Sequence, residues 1–273
     1  MPKHLVFFLA IFLCLKAYGF GFYPAIGSRA NALGGAGLLV QNAFCATNNI
    51  ALMPWQKEIA IGFAFQNRFG ISDLNQNSLN LVVPYKNLGY GIKVNSFGNN
   101  ILKDQTIGAS VAYAINKKMN VAAGFNYHLY AIKNYGNANT QTFEIAVVNK
   151  ITENFCLAFQ VFNPFGAKFT EIADQRLRPT ARLGARYKIN NKVNLVGEIE
   201  KNNYFKANFK SGIDYQFSEK INFCAGIATL QPQFTAGIGF VYKKINIETA
   251  HVLTSRLGFS HHINLIFNFA KKS

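Results

Sequence analysis

Bulky apolar residues alternate with small or polar residues along two neighbouring segments of the chain, Leu88 to Asn95 and Ile107 to Ala114. Because successive strand side chains point to opposite faces, each segment predicts a strand with one apolar face and one small or polar face. Small and polar side chains cannot fill a soluble core to the density that protein interiors have. A membrane barrel turns its apolar face to lipid and its polar face to the lumen, so the pattern predicts a pair of transmembrane strands.

The same alternation continues to the C-terminus and predicts an all-β fold. Residues 56–270 accommodate about fourteen strands, an even number as in bacterial barrels. Short connections rich in Lys and Asn alternate with longer ones, which include Phe97 to Gln105, Lys133 to Thr140 and the longest, Asn163 to Arg178. Short periplasmic turns and long external loops are typical of this class. We therefore predict a transmembrane antiparallel β-barrel in a bacterial outer membrane, with both termini in the periplasm.

The N-terminal part of the chain does not alternate. A lysine and a histidine precede the apolar run Leu5 to Leu15, and small residues follow at Ala17 and Gly19, the spacing of a signal-peptidase site. We interpret residues 1–19 as a cleaved signal peptide. Residues 20–55, called here the hatch segment, are rich in Gly, Ala and Asn, but they also contain apolar residues that a solvated tail does not need. A plug inside the barrel is therefore favoured over a flexible periplasmic tail.

Composition narrows the choice of environment and partners. The chain has 273 residues, 50% of them hydrophobic and 14% aromatic, and a formal net charge of +16. After the N-terminal segment, no apolar run reaches the roughly 18 residues that a spanning helix needs, so membrane insertion requires a closed barrel. Many lysines fall at predicted turns, where they can contact water and the anionic headgroups of outer-membrane lipid. An exported protein meets little nucleic acid, so we expect no nucleic-acid partner.

Charged and polar residues recur on the face that alternation turns towards the lumen. Because both signs of charge are present, these residues can pair with one another and with the hatch segment, or they can bind a polar ligand. The charges are most concentrated on the predicted eighth to tenth strands. The whole set of lumen-facing polar residues includes Lys93, His128, Glu144, Arg182, Arg186, Glu198, Lys210 and Asp214.

Sequence signals of catalysis are weak. A histidine lies near a serine only at His251 with Ser255 and at His261 and His262 with Ser260, both at a predicted rim of the barrel. The chain has no Cys and His spacing typical of metal sites and no phosphate-binding loop. We therefore predict no enzyme activity, no metal and no cofactor.

Two short motifs in the hatch segment resemble a known family. The stretch Ile26 to Gly37, IGSRANALGGAG, is followed by Asn48 to Leu52, NNIAL. This order resembles the N-terminal hatch of the FadL-like outer-membrane proteins, in which a G-A-R-x-x-x-x-G-G-A stretch precedes an N-P-A-x-L stretch. Ile50 stands in the place of the proline. The similarity is greatest to the PorV/PorQ branch of Bacteroidota, and it is carried by Gly27, Arg29, Gly34, Gly35, Gly37, Asn48 and Asn49.

The resemblance implies two different functions. PorV/PorQ-type proteins serve type IX protein secretion, where their partners are secretion subunits and exported cargo. FadL-like channels instead take up hydrophobic small molecules. Because no apolar vestibule is evident from the inward-facing residues, a secretion or surface-assembly role is favoured at this stage, with hydrophobic-compound uptake as the alternative.

Overall fold

The computed structural model describes residues 25–170, 177–203 and 205–269, which form one closed antiparallel barrel. Each strand pairs with its neighbours in sequence, and β1 also pairs with β14. The strands are β1 (Ile59–Asn67), β2 (Asn75–Tyr85), β3 (Leu88–Gly98), β4 (Leu102–Ala114), β5 (Met119–Ile132), β6 (Gly136–Lys150), β7 (Phe155–Phe162), β8 (Thr180–Lys188), β9 (Val193–Asn202), β10 (Asn208–Gln216), β11 (Ile221–Ala228), β12 (Gln233–Tyr242), β13 (Ile245–Thr254) and β14 (Gly258–Phe269). The predicted fold class, an all-β barrel of fourteen strands, is confirmed. The predicted signal peptide and residues 20–24 of the hatch segment lie outside the described residues.

The barrel closes through a regular antiparallel ladder between its first and last strands. The register runs from Ile59 opposite Phe269 to Asn67 opposite His261. Closure gives every strand a partner on each side, and only residues 136–143 of β6 extend beyond the ladder with β7 in the described part of the chain. Hydrocarbon requires this arrangement, because it offers no water to unpaired N–H and C=O groups.

The outer surface of the barrel is apolar around its circumference. Large side chains such as Phe63, Phe143 and Ile238 are 46–49% exposed, and they occupy the alternate positions that the sequence predicts to face outward. A soluble monomer rarely exposes an apolar surface of this extent. Lipid contact accounts for it, since transmembrane strands place apolar residues on the hydrocarbon side.

The two rims of the barrel differ in the length of their connections. One rim, called here the turn end, carries the short connections 86–87, 115–118, 151–154, 189–192, 217–220 and 243–244. The opposite rim, the loop end, carries the connection between β7 and β8. Long loops predicted at Phe97 to Gln105 and Lys133 to Thr140 are wrong, because the strands continue and leave only 99–101 and 133–135 as connections. Polar side chains do not interrupt backbone pairing, so the ladder extends beyond the apolar band.

The short helices are α1 (Ser28–Ala32), α2 (Cys45–Asn48) and the 3-10 helices Ile50–Trp55 and Ser72–Leu74. Within the described ranges, no helix has the length and apolar character needed to cross a membrane. Residues 25–55 lie against the inner face of the barrel: α1 packs on β12 and β13, and the helix Ile50–Trp55 packs on β3, β4 and β5. These contacts on opposite parts of the wall show that the segment crosses the lumen.

Candidate functional site

Two consecutive asparagines, Asn48 and Asn49, stabilise the fold of the hatch segment. The side chain of Asn48 accepts a hydrogen bond from the Ile26 amide at 2.9 Å and donates one to the Ile26 carbonyl at 2.7 Å. The side chain of Asn49 donates to the Leu38 carbonyl at 2.7 Å and accepts from the Ala51 amide at 3.1 Å, which caps the following 3-10 helix. Both asparagines are fully buried, so their amides satisfy backbone groups that water cannot reach. They bring distant parts of the segment together.

Two hatch glycines allow close contacts that a side chain would prevent. Gly34 has a φ of +71°, and a Cβ atom built there would lie 2.3 Å from the Ile227 carbonyl oxygen of the barrel wall. Gly27 has a φ of +92°, and a Cβ atom would lie 2.6 Å from the ring of Phe44. Positive φ and the absence of Cβ are both needed at these positions, and glycine provides them. Of the other two motif glycines, Gly35 faces the aliphatic part of Lys210 and Gly37 lies beside Asn48.

The barrel wall has matching glycines opposite the hatch segment. A Cβ atom built at Gly212 would lie 2.7 Å from Leu33, and one built at Gly226 would lie 2.3 Å from the Gly34 amide. On the neighbouring strand, Gly237 receives Ala32 in the same way. These inward glycines on β10, β11 and β12 form a recess for the hatch. Alternation alone marks them as small lumen residues and does not identify the segment that fills the recess.

A buried ion-pair network on β8, β9 and β10 contacts the middle of the hatch segment. The Arg182 guanidinium donates from Nε to Glu198 Oε1 at 2.9 Å and from Nη2 to Glu198 Oε2 at 3.2 Å. The Lys210 ammonium lies 3.1 Å from Glu198 Oε1 and 2.6 Å from Glu200 Oε2. Glu198 Oε2 also accepts from the Leu38 amide at 3.0 Å. The network therefore joins three wall strands to the hatch backbone.

A second group of predicted lumen residues lies on β3, β5 and β6. The ammonium of Lys93 lies 2.5 Å from Glu144 Oε1, and both side chains are buried. His128 contacts Thr106 and Thr142 at 3.0 and 2.8 Å through its two ring nitrogens. Gln160 links this group to the Arg182 network, because it donates to Glu144 Oε2 at 2.9 Å and accepts from Arg182 Nη1 at 3.0 Å.

Two arginine contacts connect the hatch segment to β8 and β10. Arg186 donates to the Leu39 carbonyl at 3.2 Å. Arg29, on α1, forms an ion pair with Asp214 at 2.5 Å. Burial alone lowers the pKa of Arg29, but the Asp214 and Glu248 carboxylates outweigh it and raise the pKa of the guanidinium. The hatch therefore carries a fixed positive charge that β10 neutralises.

Further hydrogen bonds attach the hatch segment on all sides. The contacts that Arg182, Arg186, Glu198 and Asp214 make from β8, β9 and β10 are joined by bonds from side chains on β2, β5, β12 and β14. The additional bonds are Thr47 to Asn80 at 2.6 Å, Asn120 to the Ala51 carbonyl at 2.9 Å, Thr235 to the Ala32 carbonyl at 2.7 Å and the Ser28 amide to Asn264. Charged side chains in a membrane protein are costly unless they are paired, and here the hatch and the wall supply the partners. The wall therefore holds the hatch segment at many points around the lumen.

The histidines considered for catalysis separate into an outward pair and a buried residue. His251 and His261 meet on the outer surface, with their Nδ1 atoms 2.8 Å apart, whereas His262 is buried in the lumen. Across the described ranges, no three His, Cys, Asp or Glu side chains converge as a possible metal site. Cys45 in α2 is fully buried, and burial raises the pKa of its thiol to about 12.

Comparison with known proteins relates the fold to membrane channels. No protein-family model and no curated protein matches the sequence. The structure is similar to the CymD monoaromatic hydrocarbon channel, with a TM-score of 0.72 and 10% identity over 90% of this chain and 98% of that chain. It is similar to the P. putida toluene transporter TodX, with a TM-score of 0.67 and 11% identity over 95% of this chain and 100% of that one. A Pseudomonas aeruginosa FadL homologue gives a TM-score of 0.63 and 11% identity over 92% and 100% of the two chains. The chain therefore has the fold of FadL-type outer-membrane barrels.

Proposed function

We propose that this protein is an integral outer-membrane channel of the FadL type, through which small hydrophobic molecules cross, and that the hatch segment closes it. The fold similarity to a monoaromatic hydrocarbon channel and to a toluene transporter supports the substrate class. The apolar outer surface supports residence in a membrane. Transport requires no catalytic constellation, so the proposal does not depend on enzyme activity.

The observation that carries the proposal is the attachment of the hatch segment across the lumen. Its residues Ile50 to Met53 are fully buried, and its backbone bonds to side chains on widely separated strands. A segment that served only to stabilise the barrel could pack through apolar contacts alone. Polar contacts between hatch and wall can be replaced by contacts with water when the hatch moves, in addition to the apolar contacts that Ile50 to Met53 make with wall residues such as Val82 and Val148. The inward polar residues thus act as the docking surface of a gate.

A disulfide between the hatch and the wall provides a direct test of gating. A Cβ atom built at Gly184 lies 3.0 Å from Leu38 Cβ, close to the roughly 3.5–4.5 Å that a disulfide requires. We would introduce Leu38→Cys with Gly184→Cys in a background in which the native cysteines are replaced by Ala. Oxidation should stop uptake of radiolabelled toluene by cells that lack other channels of this type, and reduction should restore it. The single variant Leu38→Cys, treated with the same oxidant, is the control.

Uptake that continues at the same rate with the disulfide formed would contradict the gating proposal. Equal toluene accumulation in cells with and without the protein would contradict the channel itself. Disulfide formation is verified separately by the mass of the hatch peptide before and after reduction.

A second candidate function is the type IX secretion or surface-assembly role of PorV/PorQ-type proteins. It is supported by the hatch motif Gly27 to Gly37 and by the cavity beside the hatch, which is lined mostly by polar side chains. The matched structures favour hydrophobic-compound transport over this role. Affinity purification of the tagged protein from native outer membranes separates the two: secretion subunits or exported cargo would favour the second, and co-purified apolar molecules the first.

A further inference from the structure

A cavity of about 110 Å³ lies between the hatch segment and the loop end of the barrel. The hatch borders it at Asn31 and Gly35, and the wall borders it at Arg68, Thr254 and His262. Arg68 directly follows β1, Thr254 ends β13 and His262 lies on β14, so the three wall residues come from neighbouring strands. The cavity is therefore built by elements that the barrel fold brings together.

Three polar atoms at this cavity have no hydrogen-bond partner in the protein. They are Arg68 Nε, Thr254 Oγ1 and His262 Nε2, all of which are buried. The described residues contain seven such side-chain atoms, and three of the seven belong to residues that line this one cavity. Leaving buried polar groups unpaired is unfavourable, and native proteins rarely do so without a reason. Two of the three are N–H or O–H donors, and the histidine nitrogen donates in one tautomer. The site therefore fits a ligand that presents acceptors.

Arg68 determines the charge of that ligand. Its Nη2 donates to Gln76 Oε1 at 2.7 Å and its guanidinium lies 4.9 Å from the ring centre of Phe97. Over the described part of the chain, no carboxylate forms a salt bridge with Arg68, and Asp104 acts on it only at longer range. Lys210, the other cation at the cavity, is already paired with two glutamates. One positive charge is thus left for a ligand with a single negative charge.

The volume indicates the size of ligand that the cavity itself can hold. An apolar cavity of roughly 150 Å³ holds benzene, which has six carbon atoms. By that proportion, a cavity of about 110 Å³ holds about four or five non-hydrogen atoms. Acetate and propionate have this size, whereas longer or aromatic acids exceed it.

We propose that this cavity binds a short-chain monocarboxylate, whose oxygens accept hydrogen bonds from Arg68 Nε, Thr254 Oγ1 and His262 Nε2. Inorganic phosphate presents similar acceptors, but near neutral pH it carries more negative charge than Arg68 alone balances. Because Asn31 and Gly35 also border the cavity, the bound anion contacts hatch and wall together and holds the hatch in place. This ligand is small and hydrophilic, so the site is distinct from a path for hydrophobic molecules.

Isothermal titration of the full chain in a neutral detergent tests the proposal. Propionate should bind at one site, while propionamide, which has the same shape without the charge, should bind at least about tenfold more weakly. Hexanoate and inorganic phosphate should also bind more weakly than propionate. The absence of saturable propionate binding would overturn the proposal. Equal binding of propionamide would overturn the role of charge, and tighter binding of phosphate would overturn the assignment to a carboxylate.

Matched variants locate the binding site. Arg68→Gln should weaken propionate binding about tenfold or more, and Thr254→Val about threefold to tenfold, because each removes one donor to a charged group. Arg256→Gln is the control, since Arg256 is exposed in the connection between β13 and β14 at the same end of the barrel. Unchanged affinity in both Arg68→Gln and Thr254→Val would overturn the proposal. Thr254→Val removes only a hydroxyl, so it remains informative if Arg68→Gln does not fold.

Discussion

Glu198→Gln is expected to loosen the hatch segment while leaving the barrel closed. Glu198 uses its two oxygens to accept from Arg182, Lys210 and the Leu38 amide. Glutamine has one carbonyl oxygen, and its NH₂ group would face the cationic donors. The change therefore removes the negative charge on which the hatch contact and the ion pairs both depend.

The magnitude follows from the hydrogen bond between the Leu38 amide and the Glu198 carboxylate, which are 3.0 Å apart. A hydrogen bond to a charged group contributes about 1.5–3 kcal/mol. Loss of this contact should raise the population of the released hatch by a factor of about 10 to 150. Barrel stability should fall as well, because breaking a buried ion pair costs about 3–5 kcal/mol.

Alkylation of Cys45 measures hatch release. Its thiol is fully buried, and burial raises its pKa to about 12, so the docked hatch suppresses both access and thiolate formation. When the hatch leaves the wall, the thiol becomes accessible and its pKa returns towards about 8.5. With Cys14, Cys156 and Cys224 replaced by Ala, the labelling rate by a maleimide in native membranes should follow the released population.

The matched control is Glu153→Gln, which changes the same side chain at an exposed turn between β6 and β7. It should label at the rate of the parent protein. A Glu198→Gln rate within about twofold of the parent, in a barrel that still migrates as folded in unheated gels, would refute the argument that this carboxylate holds the hatch.

Three further predictions test the wall and its recess. Phe125→Arg, on the outward row, should destabilise the inserted barrel by about 2–4 kcal/mol if it lies near the midplane, whereas Tyr135→Arg in an exposed connection should not. Chemical unfolding in lipid vesicles measures the stability of both variants, and equal stability would contradict the outward assignment. Gly34→Ala should speed Cys45 labelling more than Gly35→Ala, because both glycines have positive φ but only Gly34 lies against wall backbone. Equal labelling rates would show that the close approach of Gly34 to the wall is unimportant. Lys93→Met should lower the unfolding free energy by about 3–5 kcal/mol, and adding Glu144→Gln should recover part of the loss. If the losses of the two single variants simply add in the double variant, the coupling between the two residues is contradicted.

The alternation of apolar with small or polar residues predicted the strands by itself, because a transmembrane strand turns apolar side chains to lipid and small or polar side chains to the lumen. Phe143 and Glu144 illustrate this: the first is 49% exposed and the second is buried, although they are neighbours in sequence. The turn-end connections were also readable, since Lys and Asn there interrupt the apolar pattern. The loop-end connections were overestimated, because polar residues such as Lys103 and Asn137 still belong to strands. Backbone hydrogen bonding, which decides where a strand ends, does not require an apolar side chain.

The residues that face the lumen could be predicted from the sequence, but the groups to which they bond could not. Glu198 and Lys210 could be assigned to the inner face from their positions on alternating strands. The sequence cannot indicate that they bond to each other or to Leu38, because that segment is about 160 residues away along the chain. Motif spacing drew attention to Gly34, and only the structure shows the Ile227 carbonyl against which it packs.

The sequence alone determined the fold class of this protein, since the period of two along each strand and the mixture of apolar and polar faces allow few other structures in a membrane. Tertiary structure decided which inward residues meet the hatch, and it placed Arg68, Thr254 and His262 around one cavity. Arg68 is distant in sequence from Thr254 and His262, and closure of β1 on β14 brings it close to them. Side-chain direction is a local property of a strand, whereas convergence at a site depends on how the strands are arranged around the barrel.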